Sequence, residues 1–92
     1  MIRYTREQTA CEYDAFADVL YVTFTRAQSI VGTETPHGFV VRKDRASGEL
    51  VGVTILDYVS TYGSHWTEVR VDAPTPFVVE VDPVDCGLAA FG

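Results

Sequence analysis

Asp14 and Asp18 are the first residues of this 92-residue chain whose types and spacing could do chemistry. They bracket Ala15-Phe16-Ala17, and two carboxylates on one loop can seat a hard cation. Calcium takes about six to eight oxygens, however, and no Asp-x-Asn-x-Asp-Gly run is present to supply them. Aspartates in such places also accept hydrogen bonds from nearby amides and so fix turns. That is the role expected here. Asp14 accepts an amide bond within the turn, and Asp18 anchors the start of the strand that follows.

The other candidates are scattered. His37 and His65 could each be a zinc ligand or a general base, but neither has a second His or Cys at ligand spacing. Cys11 and Cys86 lie near opposite ends of the chain and belong to no C-x-x-C pair. A bridge between them stays open, and two ordinary thiols are the reading adopted. A Cys86–His65 nucleophilic pair would require long-range folding that no motif signals. Ser64 lacks the glycine-flanked elbow of a hydrolase, and the glycines are scattered singly instead of forming a phosphate loop. No catalytic, cofactor-binding or metal-ligating residue is therefore assigned.

Seven Lys and Arg stand against thirteen Asp and Glu, a formal net charge of −6. Nucleic-acid binders neutralise phosphates with clustered cations, and this balance argues against that class. The one basic cluster, Arg42, Lys43 and Arg45, is interrupted by Asp44 and reads as a solvated turn. An acidic surface suits a basic protein partner better. The segment Met1-Ile2-Arg3-Tyr4-Thr5-Arg6-Glu7 carries no apolar run of the signal-peptide kind, and no stretch of the chain is long and apolar enough for a spanning helix. A cytoplasmic location is the expectation.

The elements that must position these residues are mostly strands. From Asp18 to Thr25, Leu20, Val22 and Phe24 alternate with Tyr21, Thr23 and Thr25, which predicts a half-buried strand. Cys11-Glu12-Tyr13 is its hairpin partner. A short helix over Asp14 to Val22 competes, but Val-Leu-Tyr-Val-Thr-Phe opposes it. Further strands are predicted over Ser29 to Thr35, Phe39 to Arg42, Glu49 to Leu56, Trp66 to Val71 and Phe77 to Val81. Thr35-Pro36-His37-Gly38 and Asp44 to Gly48 are turns. The Glu49 to Leu56 strand is apolar on both faces, so a central place with cover on two sides is expected. Tyr58 to Ser64 reads as a linker or one irregular turn, Ala73-Pro74-Thr75-Pro76 as a separator, and Leu88-Ala89-Ala90-Phe91 as a docking tail. The expected fold is mainly β: a single domain over 1–92, a small antiparallel meander sheet or roll of about six short strands, with little or no helix.

Three blocks then carry a family resemblance: Tyr13-Asp14, Ala17-Asp18-Val19-Leu20-Tyr21-Val22, and Gly52-Val53-Thr54-Ile55-Leu56-Asp57. Residues 12–57 resemble the domain of unknown function 2283 family of small prokaryotic proteins, although Val53 and Thr54 stand where the family has isoleucine and glutamate. The resemblance implies a β-rich fold and no activity. Relatives encoded beside small toxin-like proteins make an adaptor or antitoxin-like role imaginable.

Aromatic residues are numerous for so short a chain, and Phe16, Tyr62 and Trp66 fall where burial within one monomer is difficult. Together with the missing catalytic set and the acidic charge, they favour a non-enzymatic interaction module. Such a module self-associates as a homodimer, with residues 58–92 adding strands at the interface, and takes a basic partner. Two alternatives are a small enzyme with a site at a dimer interface drawing on His37, His65 and the carboxylates, and a cation- or ligand-binding domain built on Asp14 and Asp18.

Overall fold

The computed structural model describes residues 1–72 and 76–87. The alternating residues form the strands their periodicity predicts. Ala10–Asp14 (β2) and Val19–Thr23 (β3) make the first hairpin, and Ile30–Glu34 (β4), Phe39–Asp44 (β5) and Leu50–Leu56 (β6) follow. These five form one antiparallel sheet in the order β2-β3-β6-β5-β4. The hairpin register sets Cys11 opposite Val22 and Tyr13 opposite Leu20, so Leu20 and Val22 share a face with Val53, Ile55, Phe39 and Val41.

A second sheet covers that face. Ile2–Tyr4 (β1), Thr67–Val71 (β7) and Phe77–Val81 (β8) pair in the order β1-β8-β7, with β1 parallel to β8 and β7 antiparallel to it. Val69, Val71, Phe77, Val79 and Val81 point inward and close the core against the larger sheet. Phe77 is fully buried, which stabilises the fold by about 1.5–3 kcal/mol relative to an exposed phenylalanine. Tyr4 stacks on Phe24 at 3.7 Å between ring centroids, and both meet Phe77 edge-on.

The mainly β class holds, with differences in detail. The described residues hold eight strands in two packed sheets, where a meander sheet or roll of about six was expected. β1 lies in the segment read only for leader character, and its pairing with β8 is parallel. Thr67–Val71 and Phe77–Val81 pair with each other inside this chain. Tyr58–Tyr62 forms a short helix, α1, where a linker or irregular turn was expected. β6 is central, but cover on two sides is not found: Leu56 is 41% exposed and Thr54 half-buried. The docking tail expected over Leu88 to Phe91 lies outside the described residues, as does all of the Ala73-Pro74-Thr75-Pro76 separator except Pro76.

The thiol reading of the cysteines is corrected: Cys11 and Cys86 form a disulfide across a sequence separation of 75. Cys11 faces inward from β2, and Cys86 closes the 3-10 turn Pro83–Cys86 that follows β8. The two-sheet packing brings those elements together, and nothing local in the sequence reports it. With Cys86 bridged, no thiol is left for a pair with His65. No described helix is long and apolar enough to cross a membrane.

Candidate interaction surface

The two sheets have very different outer faces. On the smaller one, Arg3 donates to Glu68 at 2.9 Å and to Glu80 at 3.1 Å, so charges from β1, β7 and β8 neutralise each other in water. The larger sheet has no such network. Its ladder sets two rows side by side on the face away from the core: Glu34, Val40, Thr54, Tyr21 and Glu12 in one, and Gly32, Arg42, Gly52, Thr23 and Ala10 in the next. All of these residues except Gly52 are half-buried or exposed. Tyr21 is 40% exposed, and Ile30 and Leu56 at the ends of the face are similarly open.

Arg42 is the unusual residue of this face. The β5–β6 register shifts between Arg42 and Lys43, and Gly52 sits opposite Arg42 with no side chain. The guanidinium lies over that gap, and Nη2 donates to the Val22 carbonyl oxygen at 2.6 Å. A Cβ on Gly52 would overlap that oxygen and come within 2.6 Å of Nη2. Burial pushes the Arg42 pKa down, with Tyr21 opposing it in part. No carboxylate lies within ion-pair reach of Arg42 among the described residues, and its buried Nε has no partner. A half-desolvated cation with no anion is costly, because it has given up water without gaining a counter-charge. The basic cluster is therefore no solvated turn: Arg42 and Lys43 belong to β5, and only Arg45 lies in the loop.

The two aspartates divide their work. Asp14 Oδ1 accepts from the amides of Phe16 and Ala17 at 3.0 and 3.3 Å, the turn-fixing role expected of it. Asp18 goes further than the strand it was expected to anchor. It holds φ +54°, a conformation Asp tolerates better than most residues. Its carboxylate accepts from Tyr13 Oη at 2.7 Å, from the amides of Val59 and Ser60 at 2.8 and 3.1 Å, and from Ser60 Oγ at 2.6 Å. Burial alone would raise the Asp18 pKa. The four hydrogen bonds outweigh it and hold the carboxyl down at about 2. Tyr13 is pushed up to about 12, by burial first and by Asp18 second. Tyr13 and Asp18 are thus joined directly.

His37 lies in the turn between β4 and β5, and His65 between α1 and β7; both are exposed. Among the described residues, no three His, Cys, Asp or Glu side chains gather as a metal site. Phe16 is fully exposed at its turn and Trp66 is 47% exposed, but Tyr62 is half-buried and packs its ring on Tyr58 at 5.3 Å. The residues that sequence reasoning missed are Gly52 and the outer side of β4 and β5. The isolated Gly52 within an apolar strand was the available signal, since such a glycine marks a bulge or close approach.

No protein-family model, curated protein or solved structure matches the chain.

Proposed function

We propose that this protein is a non-enzymatic interaction module that self-associates through the uncovered face of its five-stranded sheet. The observation that carries this reading is Arg42, a half-buried cation without an anion on a face that also presents Tyr21, Val40 and Leu56. The same face carries Glu12 and Glu34, both exposed and in no ion pair among the described residues. Two copies related by a two-fold axis can therefore set Arg42 of one against a glutamate of the other, the reciprocal arrangement that an isologous interface requires. Five strands at about 4.8 Å spacing and five residues at about 3.3 Å rise give a footprint on the order of 400 Å². That is about half of what a standard-size interface buries per partner, so the dimer is a weak one.

Light scattering at increasing concentration tests this. The mass should rise towards twice 10.2 kDa and return to the monomer value in Tyr21→Asp or Leu56→Asp, whose side chains are exposed on that face. A monomer throughout, at concentrations well into the range where weak dimers form, removes the reading.

The kinship we favour is with the domain of unknown function 2283 family, on the Tyr13-Asp14, Ala17 to Val22 and Gly52 to Asp57 blocks. A basic protein partner is supported by the net charge of −6 alone. As to location, the Cys11–Cys86 bridge favours an oxidising compartment over the cytoplasm expected from the sequence. Alkylation of the protein in extracts of its own cells, before and after reduction, distinguishes the two.

A further inference from the structure

β4 is exposed at all five of its residues and forms one edge of the larger sheet. On the core side of the sheet, Val41 of β5 is buried while Val31 of β4 is 38% exposed, so the smaller sheet stops short and β4 overhangs it. The bonds Thr35 N–H to Phe39 O at 2.8 Å and Arg45 N–H to Ser29 O at 2.9 Å fix which residues serve the β5 ladder. By alternation, 31 and 33 face β5, and the backbone N–H and C=O of Ile30, Gly32 and Glu34 point away from the sheet. Natural edges are blunted by proline, lysine or a bulge; β4 has none of these and carries only Glu34.

The charge near this edge differs from that of the rest. Residues 26–49 hold four cations, Arg26, Arg42, Lys43 and Arg45, against Glu34, Asp44 and Glu49, a local charge of +1. The remaining chain has three cations against ten acids, a charge of −7. Those three, Arg3, Arg6 and Arg70, are all in ion pairs, whereas Arg26, Lys43 and Arg45 are in none among the described residues. Asp44 is engaged with its own turn, accepting from Ala46 N–H and Ser47 Oγ. Arg45 Nε donates to Ser29 Oγ at 3.1 Å, beside the start of β4. An open cleft of about 610 Å³, lined by Arg26, Gln28, Ser29 and Asp44 among others, lies at that same end.

We propose that β4 receives an extended acidic segment of another protein as a sixth strand of the sheet. The segment's backbone bonds to Ile30, Gly32 and Glu34, and its carboxylates reach Arg26, Lys43 and Arg45. This is strand addition, in which the main chain supplies affinity and side chains supply specificity. It uses the edge of the sheet and is independent of self-association through the face.

Three peptides of equal length test it, with valine alternating with glutamate, glutamine or lysine. Binding is read by fluorescence anisotropy at low and at physiological salt. The glutamate peptide should bind at least about tenfold tighter than the glutamine peptide and lose affinity with salt, as screened charge contacts do. It should also protect the amides of Ile30, Gly32 and Glu34 from hydrogen exchange in the unsubstituted protein. Glu34→Pro removes an outward N–H without touching the β5 ladder and should abolish binding, and Lys43→Ala with Arg45→Ala should erase the preference for acid. Equal binding of all three peptides overturns the acidic partner, and no protection at β4 overturns the edge. A dimer lost in Glu34→Pro but retained in Tyr21→Asp would show that a second copy occupies the edge instead, which also overturns the proposal.

Discussion

The Asp18 carboxylate and the Ser60 hydroxyl, 42 positions apart, meet at 2.6 Å where α1 begins. The first amides of a helix have no partner within it, and a side chain from the preceding residue commonly supplies one. Asp57, which precedes α1, stands at φ +52° and caps nothing with its side chain. Asp18 does so from another hairpin, and its own carbonyl accepts from Tyr58 N–H at 3.0 Å.

Asp18→Ala should therefore cost about 1–3 kcal/mol, because it leaves the Val59 and Ser60 amides and the Tyr13 hydroxyl short of a partner. For a domain of this size each kcal/mol lowers the melting temperature by about 4–8 °C. Asn, which also tolerates positive φ and keeps one acceptor oxygen, should fall between Ala and the parent. Asp14→Ala should lose less, since only bonds inside an exposed turn disappear. Thermal unfolding of the three variants checks the order. Equal losses at 14 and 18 would mean that the link to α1 carries no stability.

The same link predicts a pH dependence. The Asp18 carboxyl is held at about 2 in the folded protein, below the value of about 3.9 usual for an unfolded chain. A depressed carboxyl contributes stability that is complete above the unfolded value and is lost as pH falls through the folded one. The parent should thus lose its advantage over Asp18→Asn between about pH 4 and pH 2. At the alkaline end, the raised pKa values of Tyr13 and Tyr58, both driven first by burial, contribute stability below the unfolded tyrosine value of about 10 that drains away above it. Melting temperature against pH, for parent and Asp18→Asn, tests both ends. A gap between the two proteins that persists below pH 2 would contradict the acid limb.

What the sequence disclosed follows from what is local. Leu20, Val22 and their neighbours alternate over enough residues to declare a strand, and Asp14 with two following amides declares a turn. Ile2-Arg3-Tyr4 is too short to alternate, and it becomes a strand only because β8 lies beside it. Tyr58–Tyr62 contains Val59 and Thr61, poor helix formers, and its cap comes from Asp18, so no local helix signal existed. The Arg42 surface was hidden for a related reason. Charge patterning places an arginine among charged neighbours, but only the sheet register shows Gly52 opposite it.

The disulfide offers a larger effect. Closing a loop of 75 residues restrains the unfolded chain, and measured bridges of this kind contribute about 2–4 kcal/mol. Reduction, or Cys11→Ser with Cys86→Ser, should lower the melting temperature by roughly 8 °C or more. The oxidised parent should be unaffected by the alkylating agent. An unchanged melting curve after complete reduction would show that the packing of β2 on the turn after β8 does not depend on the bond.

Gly52 supplies a second severe single substitution. Its missing side chain is what allows the Arg42 guanidinium to reach the Val22 carbonyl, and the position lies within the ladder between β3 and β5. Gly52→Ala would drive a methyl group into a backbone oxygen and into Nη2 together. Overpacking of this sort costs about 1–3 kcal/mol and more where backbone must yield. The added helix or strand propensity of alanine, worth under about 1 kcal/mol, cannot offset it. Arg42→Ala alone should cost less, at most the 0.5–1.5 kcal/mol or so of one hydrogen bond, because a half-desolvated charge without an anion is removed with it. The double variant discriminates between the two contacts. If the backbone clash dominates, Gly52→Ala remains damaging after Arg42 is removed; if the arginine dominates, most of the loss is recovered. The Val22 carbonyl cannot move without pulling β3 off β6, so the first outcome is expected. Full rescue in the double variant would place the strain on the side chain instead.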